Sequence, residues 1–178
     1  MTASTVKSSE ITNLTALPRV DENAGEAGGK VRLFAGTLEV ATTSVDEIGD
    51  IIRMIRLPHA RFRPISLKGF SDDLDSDSAL RVNVGLYKVN FDDSVTVMDA
   101  DCFASAVDAT PFSGSTTGGL ELLNEAADID QRGLEIWDYA VGQAADPGVP
   151  VEVCVTVSTA GTSADAGTLR LELLAVEY

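Results

Sequence analysis

Apolar and polar residues alternate strictly in two parts of the chain. In residues 79–88, Leu80, Val82, Val84 and Leu86 alternate with Arg81, Asn83, Gly85 and Tyr87. In residues 151–158, Val151, Val153, Val155 and Val157 alternate with Glu152, Cys154, Thr156 and Ser158. A period of two buries one face of a strand and leaves the other outside. A third run, Leu169, Leu171 and Leu173 around Arg170 and Glu172, follows a loop of small residues over 160–167. Two alternating runs joined by a short Gly-containing loop predict a β-hairpin. Further strands are predicted over 30–34, 37–41, 51–57, 64–70 and 94–98. The alternation places Val82, Val84, Val153, Val155, Leu169 and Leu171 in the core.

The period lengthens in two places. Residues 99–108 hold Phe103 and Val107 four apart behind Asp99, a residue suited to an N-cap, and predict a short helix. Residues 131–141 place Leu134, Trp137 and Val141 on one helical face, with Gly142 as a stop and Pro147 beyond it. Residues 110–119 are Ser, Thr and Gly without periodicity and predict an exposed loop.

Many short strands with polar connections, and no regular strand–helix alternation, define an all-β class. The expected architecture is an antiparallel jelly-roll-like sandwich with one or two short helices. Residues 1–29 differ from the rest: only Val6, Ile11, Leu14, Leu17 and Val20 are sizeable and apolar. Such a stretch cannot bury enough surface to fold alone. It reads as a flexible N-terminal arm, free or ordered by a neighbour, before a single domain over 30–178.

Charge narrows the function. The chain has 178 residues, with 28 Asp+Glu against 13 Lys+Arg and a formal net charge of −15. That balance argues against general binding to nucleic acid or to an anionic membrane. No apolar run approaches the ~20 residues that span a bilayer as a helix. No signal-peptide pattern is visible in residues 1–29, so synthesis in a cytoplasm is expected. Two cysteines do not make a disulfide scaffold, and Cys102 and Cys154 read as small buried hydrophobes.

Candidate chemistry is sparse. His59 is the single histidine, so any Ser–His or Cys–His site must use it. It follows Leu57-Pro58 in a predicted turn and reads as a surface residue. No serine stands in a Gly-x-Ser-x-Gly elbow, and no glycine pair opens a phosphate loop. Asp73, Asp75 and Asp77 have the spacing that starts a calcium loop, but Ser78 and Val84 stand where such a loop needs Gly and Glu. A solvated acidic turn explains that run more simply. No catalytic residue, metal site or cofactor is therefore assigned. One asymmetry stands out. Arg53, Arg56, Arg61, Arg63 and Lys68 occur within 51–68 without a single acid, while residues 69–178 hold twenty acids against four bases. A basic strand pair on an acidic body fits an acidic partner, or pairs with the protein's own acids.

The order of features resembles that of the jelly-roll head-decoration, or cement, proteins of tailed bacteriophages. Four segments carry the resemblance over about residues 29–178. They are Gly29-Lys30-Val31-Arg32 leading to Thr37-Leu38-Glu39-Val40, and Ile55-Arg56-Leu57-Pro58-His59-Ala60-Arg61 followed by Pro64-Ile65-Ser66-Leu67. Then come Met98-Asp99-Ala100-Asp101-Cys102-Phe103, and Leu134 to Gly142 with Asp146-Pro147 and the final paired runs ending at Tyr178. His59 departs from the pattern, where a Gly step fits the family better. The resemblance implies a non-enzymatic virion protein on the capsid exterior, bound to the major capsid protein and to sister copies, with a trimer favoured. A β-sandwich module that binds a ligand or glycan, of head-fibre or adhesion type, is the alternative.

Overall fold

The computed structural model describes residues 30–72, 74–76, 79–108, 119–123 and 133–177. The arm over 1–29, Asp73, Asp77 and nearly all of the 110–119 loop lie outside these residues. Among the described residues there are eight strands: β1 (Lys30–Val40), β2 (Ile51–Leu57), β3 (Arg63–Ser71), β4 (Arg81–Val89), β5 (Val95–Asp108), β6 (Leu120–Glu121), β7 (Val151–Thr159) and β8 (Gly167–Glu177). They form two four-stranded sheets in the orders β1-β8-β3-β6 and β2-β7-β4-β5, paired antiparallel throughout. Apart from the β4–β5 hairpin, every connection crosses from one sheet to the other. That is the connectivity of a jelly roll, and it confirms the expected all-β sandwich.

The six residues assigned to the core from alternation are all buried, at 2% exposure or less. Their pairing differs from expectation. β7 and β8 do not form a hairpin: β7 lies between β2 and β4, and β8 lies between β1 and β3 in the opposite sheet. Each strand turns its apolar face inward from its own side, so a hairpin and an arch between sheets give the same sequence pattern. The arch is pinned by a bridge between Asp75 and Ala164 and by the Asp165 amide, which donates to the Leu74 carbonyl at 2.9 Å.

The helix expected over 99–108 is instead the second half of β5. Its misleading spacing comes from irregularity in the ladder. Val84 pairs with Ala104 but Leu86 pairs with Asp99, so five steps along β5 answer two along β4. Ala106 takes a positive φ of 49° within this stretch. Such bulges break the period of two and bend the strand. Asp99 caps no helix; its carboxylate accepts from the amides of Asp101 and Val141 at 3.2 and 2.9 Å. Gly85 makes the bend possible, because a Cβ there would lie 2.2 Å from the Asp99 carbonyl oxygen.

The second expected helix shrinks to one 3-10 turn, Ile136–Tyr139. Its three-residue period buries Ile136 and Tyr139, while Val141, placed on the buried face by the longer period, is 82% exposed. Residues 131–132 lie outside the described part. The two short strands expected over 30–34 and 37–41 are one strand, β1. It runs straight through Gly36, where a Cβ would meet the Met54 carbonyl oxygen at 1.9 Å. Glycine there is the condition for β1 to lie against β2.

Candidate interaction surfaces

The basic stretch is divided by the fold. β2 and β3 belong to opposite sheets, so the adjacent basic strand pair expected from the sequence does not form. Arg53 and Arg56 lie on β2 and face the outside of the second sheet. Strict alternation would separate residues three apart onto opposite faces. A bulge between Arg53 and Ile55 inserts one residue, so Arg53 pairs with Cys154 and Arg56 with Glu152. Both guanidiniums then converge on one carboxylate.

That carboxylate is Glu152 of β7, only 3% exposed. Arg53 grips it bidentately, Nε to Oε2 at 2.6 Å and Nη2 to Oε1 at 2.9 Å. Arg56 Nε donates to Oε1 at 2.6 Å. Arg56 Nη2 also donates to the Asp93 carboxylate at 2.6 Å, and Arg53 Nη1 donates to the Asp93 carbonyl at 2.9 Å. Asp93 sits in the β4–β5 turn with φ 65°, so the network ties that turn across to β2. Burial pulls the Glu152 carboxyl upward, but the hydrogen bonds from Arg53 and Arg56 outweigh it and hold it below the ordinary value of 4.5. The Arg56 hydrogen bond likewise holds Asp93 below its ordinary 3.8.

The middle of this outer face is also covered, while Ile51 and Val97 on its edge strands are 46% and 53% exposed. Tyr87 of β4 is buried and its hydroxyl lies 2.6 Å from Thr156 Oγ1 of β7. Cys154, beside it, is fully buried, and burial pushes its thiol up to about 12. Cys102, in the bend of β5, is raised by burial as well. Both cysteines are free and enclosed, as their sequence context suggested. The tip of the hairpin is different. Phe91 stands fully exposed there, beside a cleft of about 420 Å³ lined by Lys88, Val97, Met98, Gln143, Pro147 and Val149.

The remaining basic residues lie elsewhere. Arg61, between β2 and β3, bonds the Asp146 carboxylate at 2.9 Å. Arg63 and Lys68 are on β3 in the first sheet, in register with Val176 and with Glu121 and Glu172 respectively. Arg53, Arg56 and Arg61 therefore pair with the protein's own acids. His59 is half-buried, not a bare surface residue: its ring stacks on Phe62 at 4.5 Å and 4°, and Nε2 lies 3.7 Å from Glu177. Asp75, expected in a solvated turn, is buried and accepts from the amides of Ala79 and Leu80, both at 2.7 Å.

The outer face of the first sheet has two halves. Toward the loop after β7, its polar side chains bind one another: Arg170 holds Glu172 and Thr37, and Thr168 holds Glu39. Toward the start of β1 it is aliphatic. Val31 pairs with Val176 and Leu33 with Leu174, while Ile65 is the extra residue of the β3 bulge beside Leu174. Val31, Leu33 and Ile65 are 63%, 61% and 46% exposed, with Leu174 and Val176 half-buried. The sequence carried a signal for this patch. Alternation stops at Leu173-Leu174-Ala175-Val176, and consecutive apolar residues on a strand make both faces apolar.

No family model and no curated protein matches the chain. Two solved structures share its fold. A chain in the capsid of Ralstonia phage GP4 superposes with a TM-score of 0.59 at 19% identity, over 84% of this chain and 86% of that one. A chain in the capsid asymmetric unit of cyanophage Pam1 superposes with a TM-score of 0.51 at 17% identity, over 85% and 87%. At these identities the likeness is one of fold.

Proposed function

We propose that the chain is a virion structural protein that decorates and cements a bacteriophage capsid. In this reading it sits on the exterior of the shell and binds the major capsid protein and sister copies. One observation carries the reading: both fold matches are chains of phage capsid structures, and each spans most of both partners. The order of sequence segments that resembles head-decoration proteins supports it independently. So does the distribution of surface chemistry, which offers apolar and charged contact areas. The five bases Arg53, Arg56, Arg61, Arg63 and Lys68 keep a part in this proposal. Rim charges set association rate and salt sensitivity even where, as for Arg53, Arg56 and Arg61, they are paired with the chain's own acids.

Co-sedimentation tests the reading. The purified chain is mixed with capsids of its parent phage prepared without it. The expected result is saturable binding in fixed ratio to the shell protein, weakened by salt. Recovery of the chain entirely in the supernatant at low salt contradicts it. The cleft beside Phe91 favours a second reading as a glycan- or ligand-binding module, since its volume falls in the range of small-molecule sites. That reading requires binding to a glycan array that Phe91→Ala abolishes.

A further inference from the structure

We propose that the aliphatic half of the first sheet's outer face receives the acidic turn around Ile48 of a second copy of the chain, in a head-to-tail contact. The patch consists of Val31, Leu33, Ile65, Leu174 and Val176, spread over the neighbouring strands β1, β8 and β3. Contiguous exposed aliphatic side chains mark a contact surface. Two cations border it: Lys30 precedes Val31 on β1, and Arg63 is in register with Val176. The patch is small. Three strands measure roughly 10 Å across, and Val31 to Leu33 measures roughly 7 Å along the strand. That area suits a tight turn, not an extended segment.

The connection between β1 and β2 supplies that shape. Val45 anchors it in the core, at 0% exposure. At its tip the Asp50 amide donates to the Glu47 carbonyl at 3.3 Å and Gly49 takes φ 97°, as the third position of a type II turn demands. The Asp50 carboxylate accepts from the Glu47 amide at 3.2 Å, and the Gly49 amide donates to the Val157 carbonyl at 2.9 Å. These bonds hold Ile48 outward, at 72% exposure, among Asp46, Glu47 and Asp50. Among the described residues none of these three carboxylates pairs with a cation. An apolar knob ringed by carboxylates is the complement of an aliphatic patch bordered by cations. Charge selects this pairing, because two chains of −15 repel one another over most of their surfaces. The turn cannot reach the patch of its own chain. It follows the end of β1, and Val31 and Val40 stand near opposite ends of that strand, roughly 30 Å apart. A contact between unlike surfaces is heterologous and links copies into a ring or a filament. The inference deepens the proposed function and rests on it for the role of sister copies. The contact itself needs no shell, so its test and co-sedimentation fail separately.

Sedimentation velocity of the purified full-length chain, without capsids, tests it. The expected result is association that grows with concentration. Ile48→Asp and Leu33→Asp should each weaken it by about tenfold or more, with melting unchanged, since both side chains are exposed. The two variants mixed should form dimers that neither forms alone, because together they keep one intact turn and one intact patch. Val31→Asp takes the place of Leu33→Asp if the latter melts lower. A wild-type chain that stays monomeric up to about 1 mM overturns the proposal. So does an Ile48→Asp chain that associates as wild type does. Loss of association in both variants without rescue on mixing also overturns it, and assigns the patch to a two-fold contact with the same patch of a sister copy.

Discussion

The central strands β7 and β8 start from the same alternation and end differently on their outward sides. On the second sheet, β7 is buried on both sides. Glu152 lies under Arg53 and Arg56, Cys154 is buried in register with Gly85, and Tyr87 reaches Thr156. Glu152, Asp93, Tyr87 and Thr156 find partners within the chain, and the β2 bulge brings Arg53 and Arg56 to theirs. On the first sheet, β8 has one buried face and one face that turns aliphatic toward its end. Val31, Leu33 and Ile65 remain outside. The lesson lies in what each irregularity brings: the β2 bulge sets two guanidiniums over one carboxylate, whereas the β3 bulge leaves Ile65 outside. A regular ladder alternates and leaves its outer residues bare, while a bulged one can fold charges or backbone over its neighbour.

The largest effect comes from the core that both faces share. Val155→Asp places an unpaired carboxylate between the sheets, at a side chain 1% exposed. It should cost about 4 kcal/mol or more and abolish cooperative melting. Wild-type melting of this variant would break the register on which the whole comparison rests.

Removing Glu152 should rank next. Glu152→Ala leaves Arg53 and Arg56 facing one another without their shared acceptor. Breaking a buried pair costs about 3–5 kcal/mol, but both guanidiniums reach solvent, so about 2 kcal/mol is the expected loss. The matched change on the open face, Glu172→Ala, should cost under about 0.5 kcal/mol, because Arg170 and Glu172 are a solvent-facing pair. Equal losses by chemical denaturation would erase the contrast between the faces.

Acid sharpens the same contrast. The folded Glu152 carboxyl lies below its ordinary 4.5, so its contribution is fully present above that value. It is lost as pH falls through the lower folded value. Melting temperature should therefore drop on acidification in that window. Glu152→Gln should show a shallower drop, with Asp93 and Asp146 supplying the remainder. Parallel curves for the two proteins would show that Glu152 is not linked to stability.

The smallest effect on the isolated chain is expected from changing Arg61 and Arg63 together to Glu. The domain should stay folded while capsid occupancy falls and loses its salt dependence. Occupancy equal to wild type at low salt would reduce the basic stretch to a set of internal ion pairs.

The inward faces of β4, β7 and β8 were legible in the sequence because alternation is local. Which strand each one pairs with was not. The arch between β7 and β8 has the pattern of a hairpin, and the sheets are assembled from partners far apart in the chain. The helical reading of 99–108 failed because bulges produce a spacing of four inside a strand. Gly85 was visible in an alternating run but its meaning was not, since the backbone that fills its missing side chain comes from β5. The basic residues were found, yet their geometry depends on one inserted residue at Met54, which sets Arg53 and Arg56 on one face. Glu152 and Asp93 were missed as their partners for the same reason. The aliphatic patch had a local sign in Leu173-Leu174-Ala175-Val176, which begins at the last residue of the alternating run.

A cryo-EM reconstruction of capsids incubated with the full-length chain tests the central claim most directly. The account predicts ordered density outside the shell, repeated with the capsid's symmetry, into which the two sheets β1-β8-β3-β6 and β2-β7-β4-β5 fit. A saturated incubation that leaves the outer surface bare, or places the density on the inner surface of the shell, would contradict it.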